Sequence, residues 1–230
     1  MLSVNHFQDA TTLESGQSKY FVSFEKALDF QFIATKRVTN DFGQRPFIVT
    51  PNYQLGVGRG FELGIKLLPI TLNSSGITSY LKYSHNLSSF SSCAIVLIGG
   101  IANANGDNGE GIAVNPYYSY KFSKVSNINI MLPFTLAEKF FTFTAAPSIG
   151  NYRADLLYVY TSDYDRWANY GAQDTDNHII TNYFVPAVST DLSLNLPHDF
   201  LISFEVSTLQ IDHAVVGFYG VGLGAKGNLF

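Results

Sequence analysis

Apolar side chains recur at every second position through most of this chain, the period of a β-strand that turns one face to an apolar medium. From Tyr20 to Phe32 the even positions are Tyr20, Val22, Phe24, Lys26, Leu28, Phe30 and Phe32, while their odd neighbours are Lys19, Phe21, Ser23, Glu25, Ala27, Asp29 and Gln31. Phe47, Val49, Pro51, Tyr53, Leu55 and Val57 share one face, Gly58-Arg59-Gly60 makes a tight turn, and Phe61, Leu63, Ile65 and Leu67 resume opposite Glu62, Gly64 and Lys66. Spacing at i, i+3, i+4, i+7 between helix caps does not occur. The pattern excludes a helical bundle. It predicts strands at 20–32, 47–57, 61–67, 77–85, 93–102, 112–122, 128–136, 141–149, 155–161, 179–196, 200–206 and 219–225, about 12 in all. Reading 111–122 as a loop and dropping 155–161 leaves 10.

Composition decides which medium the apolar face meets. The chain is 46% hydrophobic and 14% charged, where an ordinary globular domain carries about 25% charged residues. Yet its longest uninterrupted apolar candidate, Cys93 to Ala102, is far short of the roughly 18 residues of a spanning helix. Apolar content in short alternating pieces is what a closed, up-and-down antiparallel transmembrane β-barrel needs. The competing reading is a soluble barrel or sandwich around a small ligand, whose greasy face would be a core. Against it, the opposite faces carry Ser, Thr, Gly, Ala and Asn with isolated charges, which suit a narrow lumen better than a water-facing sheet. Tyr20, Tyr53, Tyr83, Phe122, Phe134, Phe141 and Phe200 sit near strand ends as interfacial girdles do.

We therefore expect one barrel domain over 1–230, with 1–17 as a periplasmic N-terminal segment and long loops at 34–46, 103–110 and 162–178. Residues 1–17 are polar, without a basic start or apolar stretch, so they are no secretory signal, and one is expected to have been removed. A net charge of −4 and pI near 5.7 argue against nucleic acid as a partner. A single cysteine, Cys93, leaves no internal disulfide and no cysteine-rich zinc site.

The run Gln8-Asp9-Ala10-Thr11-Thr12-Leu13-Glu14-Ser15-Gly16, leading into Gln17–Val22, resembles the start of small bacterial outer-membrane β-barrel proteins, often lipoproteins, in which an A-R-T-L-x-x-G segment precedes the first strand. Thr11 stands where that pattern has arginine. Asn52 to Lys66 resembles the group's strand-turn-strand hairpin, with Pro69 closing it. The resemblance implies fold and a bacterial outer-membrane location; it brings no catalytic residues.

Candidate sites follow from the non-greasy parity. Glu25, Asp29, Glu62, Lys66, Lys82, Lys121, Asp191 and Glu205, with Lys226, are expected to line the lumen. A buried charge is costly without a partner, so we expect pairing, with Glu25, Glu62 and Lys66 within reach of one another. Ile65 should face lipid, and Gly64→Ser should be mild. Asn103 to Glu110 has oxygen ligands at alternate positions, but an EF-hand needs Gly sixth and Glu twelfth where Asn108 and Val114 stand. Loop residues Asp163, Asp165, Arg166, Trp167, Asp174 and Asp176 read as hydrated surface. Gly222 to Gly227 matches G-x-G-x-x-G without the helix a dinucleotide needs. His178 near Asp176 is the best of a poor set of catalytic candidates, and no nucleophile motif accompanies it. The expectation is a non-enzymatic barrel without cofactor or metal whose medium is the lipid bilayer. Two functions compete: a narrow porin-like channel for small polar solutes, and a structural or surface-interaction barrel with a plugged lumen that meets protein partners at its outer loops.

Overall fold

The computed structural model describes residues 6–26, 47–71, 74–105, 118–160, 175–211 and 214–228. The hairpin foreseen at Gly58-Arg59-Gly60 forms. β1 (Gln17–Lys26), β2 (Phe47–Gly58), β3 (Phe61–Thr71), β4 (Ser74–Asn86), β5 (Ser91–Asn105), β6 (Tyr118–Met131), β7 (Phe134–Ala137), β8 (Phe141–Tyr160), β9 (Thr175–Asn195), β10 (Phe200–Ile211) and β11 (Ala214–Asn228) are all antiparallel. Gly58, Arg59 and Gly60 all adopt positive φ in the β2–β3 turn, which explains the two glycines there. The sheet closes where β1 pairs with β11, from Gln17 opposite Asn228 to Glu25 opposite Gly220.

The wall has ten strand positions. β7 is no separate strand of the wall. It pairs with β5 and β8 in the register that β6 already holds: Val96 faces Met131 and Cys93 faces Phe134 on one side. On the other, Met131 faces Ser148 and Phe134 faces Ala145. Pro133 interrupts the ladder because it has no N–H to donate. The predicted pieces 141–149 and 155–161 are one strand, β8, and 118–122 continues into 128–131 as β6. With ten positions, β1 starts and β11 ends at the same end of the barrel as the turns after β2, β4, β7 and β9. That end is called the turn end below. Of the long loops expected, 34–46 lies outside the described residues, as do 106–110 and 162–174, while 103–105 and 175–178 belong to β5 and β9.

The faces settle the medium. Glu25, Glu62, Lys82 and Glu205 are buried inside the wall, whereas Leu63, Ile65, Leu97, Ile128, Phe143 and Leu192 point out, with Ile128 64% exposed and Ile65 44%. A water-soluble barrel places its apolar side chains inside. This one is inverted, so its outer face belongs against lipid. From Phe141 to Asn151 β8 advances about 33 Å at roughly 3.3 Å per residue, which a tilt of about 40° reduces to an apolar height of about 25 Å. Aromatic pairs mark both margins of this belt. Tyr20–Tyr53 and Phe61–Tyr83 lie at the turn end, both with centroids 4.9 Å apart. At the other margin Phe24 stacks on Phe47 at 4.6 Å, with the Lys26 ammonium over the Phe47 and Tyr219 rings.

Candidate functional site: a lumen filled by the N-terminal segment

Strand alternation alone carries the charged side chains inward. Of the nine predicted lumenal residues, Glu25, Glu62, Lys66, Lys82, Asp191 and Glu205 are buried within the barrel; Lys226, near the end of β11, is exposed instead, and Asp29 and the Lys121 side chain lie outside the described residues. Lys66 pairs with Glu25 across the intervening strand, Nζ to Oε1 2.5 Å. Thr50 donates to the same Glu25 oxygen at 2.7 Å and is bonded to Ser23. Glu62 pairs with Lys82 at 2.9 Å rather than with Lys66, and accepts from the Tyr80 hydroxyl at 2.6 Å. The expected three-way meeting of Glu25, Glu62 and Lys66 is therefore two separate pairs, because β4 supplies a nearer cation. Asp191 and Glu205 stand opposite each other on β9 and β10. Ser193 donates to Asp191 at 2.7 Å and Ser207 to Glu205 at 2.8 Å.

What the strand pattern does not announce is who uses the rest of these groups. Residues 6–16 run inside the barrel at its turn end. Glu205 accepts the backbone N–H of His6 at 3.1 Å on Oε1 and that of Phe7 on Oε2. Thr135 of β7 accepts the Ala10 N–H at 2.6 Å, and Glu62 the Leu13 N–H at 3.1 Å. Lys82 donates to the carbonyls of Thr11 at 2.7 Å and Asp9 at 3.3 Å, and its ammonium lies 3.6 Å from the Asp9 carboxylate. The Thr12 and Ser84 hydroxyls bond at 3.0 Å, and the Gly16 N–H reaches the Gly56 carbonyl at 3.0 Å. Phe7, Ala10 and Leu13 are buried, Ala10 completely. The Phe7 ring packs on Phe21 with centroids 4.9 Å apart and against Leu201, under the Lys66 ammonium.

One feature of the wall makes room, and one residue of the segment is held in an unusual conformation. Gly56 stands where a Cβ would fall 2.0 Å from the Glu14 carbonyl oxygen, so only glycine lets the segment pass. Phe7 holds φ of 50°, a left-handed conformation that costs a non-glycine residue about 1–2 kcal/mol. Two hydrogen bonds to Glu205 and the ring contacts hold it there. For Asp9, burial pushes the carboxyl upward, but the Lys82 and Lys19 ammonium groups outweigh it and leave it at about 2. Asp9 is thus a carboxylate held beside two lysines. One sequence signal could have found part of it: Phe7, Ala10 and Leu13 recur every third residue in an otherwise polar stretch, which is neither strand nor helix spacing.

No protein-family model and no curated protein matches the chain. Among solved structures the barrel is similar to Ail, the attachment invasion locus protein of Yersinia pestis, at 12% identity and a TM-score of 0.42, over 93% of this chain and 99% of that one. It is similar also to the KdgM porin in complex with disordered oligogalacturonate, at 10% identity and a TM-score of 0.42, over 91% and 98%. A third is the N-terminal β-barrel domain of Pseudomonas aeruginosa OprF, at 7% identity and a TM-score of 0.36, over 94% and 100%. The architecture described above rests on this chain's own ladders and faces.

Proposed function

We propose that this protein is a non-enzymatic barrel of the bacterial outer membrane whose lumen is closed by its own N-terminal segment, and that it acts through its loop-end surface rather than as an open channel. Transmembrane barrels with an even number of strands, short turns at one end and longer loops at the other belong to outer membranes. The run by which the chain resembles small outer-membrane (lipo)proteins, Gln8 to Gly16, is the run that fills this lumen. One observation carries the reading: residues 6–16 bond to β3, β4, β7 and β10 from inside and saturate Glu62, Lys82 and Glu205. Water and solutes would have to displace those contacts to pass. A small polar solute could cross only in a state with the segment withdrawn, so transport is the secondary reading. Planar-bilayer recording separates the two. The full-length protein should remain non-conducting for most of the record, and removing residues 2–16 should yield a steady ohmic pore. Steady conductance by the full-length protein, or a truncated barrel that folds and stays closed, would sink the proposal.

A further inference from the structure

The docked segment is read mainly through its backbone. Four N–H groups of the run are taken by wall side chains on three strands: those of His6 and Phe7 by Glu205 on β10, that of Ala10 by Thr135 on β7 and that of Leu13 by Glu62 on β3, so that Phe7, Ala10 and Leu13 meet successive acceptors three residues apart. The side chains of these three residues are buried, as is that of Gln8 beside Phe7. Between them Lys82 takes the carbonyls of Asp9 and Thr11. The three-residue spacing of these contacts sets one side of an irregular segment against the host, while Phe7 holds φ of 50° and the Thr11 N–H turns to Asp9 Oδ1 at 3.0 Å within the segment. The wall therefore offers acceptors and donors to the main chain, an apolar seat on Phe21 and Leu201, and a fully buried position at Ala10. Side-chain-specific bonds are fewer, chiefly Asp9 to Lys82 and Thr12 to Ser84.

We propose that the turn-end lumen is a peptide-binding site that recognises a segment with an aromatic, a small and an aliphatic residue at three-residue spacing, the N-terminal segment being its ligand in cis. The inference rests on the plugged-barrel reading, and goes beyond it by naming what else the lumen would accept: a second polypeptide of that pattern, entering from the turn end when the tethered segment withdraws. Unlike a channel site for small solutes, such a cradle uses long, bonded side chains (Glu62, Lys82, Glu205) aimed at a backbone rather than at a diffusing molecule.

The test uses a fluorescent synthetic peptide of the sequence His6 to Gly16. The barrel lacking residues 2–16 should bind it saturably. A peptide keeping only Phe7, Ala10 and Leu13, with serine or glycine elsewhere, should bind within about fivefold, whereas Phe7→Ala or Ala10→Leu peptides should be weaker by about tenfold or more. The full-length chain gives an independent arm. With Cys93→Ser, the pair Thr12→Cys and Ser84→Cys can be joined, since their oxygens lie 3.0 Å apart. The oxidised form should exclude the peptide and the reduced form admit it. A truncated barrel that conducts yet binds no peptide, peptides that bind alike whatever stands at 7 and 10, or equal binding by locked and unlocked chains would each overturn the proposal. A truncated barrel that folds without conducting would instead overturn the plugged-barrel reading beneath it. Should the truncated barrel fail to fold, the locked and unlocked full-length chains decide the matter.

Discussion

Lys82 is the residue on which most of the interior converges. Its ammonium, 2% exposed, bonds to Glu62, Asp9 and two backbone carbonyls. Removing one partner of a buried ion pair leaves the other charge uncompensated, at about 3–5 kcal/mol. Lys82→Met should therefore lower stability by about that much in urea titrations in detergent, and adding Glu62→Gln should recover part of the loss. Asp9 adds a pH dependence of known sign. Its carboxyl titrates at about 2 in the docked state against 3.8 when free. Its contribution to docking is therefore complete above pH 4 and is lost as pH falls toward 2. Channel openings at acid pH should rise over that window, and Asp9→Asn should flatten the part that depends on Asp9. Gly64 corrects an expectation. A Cβ there would fall 2.0 Å from the Tyr80 ring, which its hydroxyl fixes to Glu62. Gly64→Ser is therefore not mild: overpacking should cost about 1–3 kcal/mol, and Tyr80→Ala should relieve much of it.

At the scale of elements, strand faces were legible because lipid imposes a strict period of two wherever the wall is immersed. On β3 this puts Ile65 outward and 44% exposed between buried Gly64 and Lys66. Ile65→Arg near the bilayer midplane should cost about 2–4 kcal/mol, read from folding titrations into vesicles; a neutral result would contradict the lipid face. Strand number was less legible, and for a physical reason. β8 continues beyond Ile149 with Asn151, Arg153 and Asp155 outward, and β6 turns Lys124 and Ser126 outward. These strands persist after they leave lipid, so the ladder goes on while the greasy alternation stops. Each was consequently divided in two by the pattern. Lys124, Ser126, Arg153 and Asp155 line a cavity of about 290 Å³ there.

For the molecule as a whole, the barrel's inside was half readable. Parity alone placed Glu25, Glu62, Lys66, Lys82, Asp191 and Glu205 in the lumen, but could not say which cation each acid meets, because that depends on strand order and stagger around a closed wall. Nor could a periodic signal report that 6–16 lies inside, since a plug bonded through its backbone makes few demands on its side chains. Phe7, Ala10 and Leu13 are the exceptions. Without that segment Glu62, Glu205 and Lys82 would each lose partners inside a narrow barrel, a cost of several kcal/mol, so plug and wall should unfold together as one cooperative unit. The most direct test of that arrangement is the Thr12→Cys, Ser84→Cys pair in the Cys93→Ser background, with the barrel folded in bilayers before mild oxidant is added. With the segment inside the lumen, near-complete intramolecular disulfide formation is expected, read as loss of both free thiols, with the barrel still folded. Two thiols that remain free and react rapidly with an impermeant reagent from the aqueous phase would mean the segment lies outside the lumen.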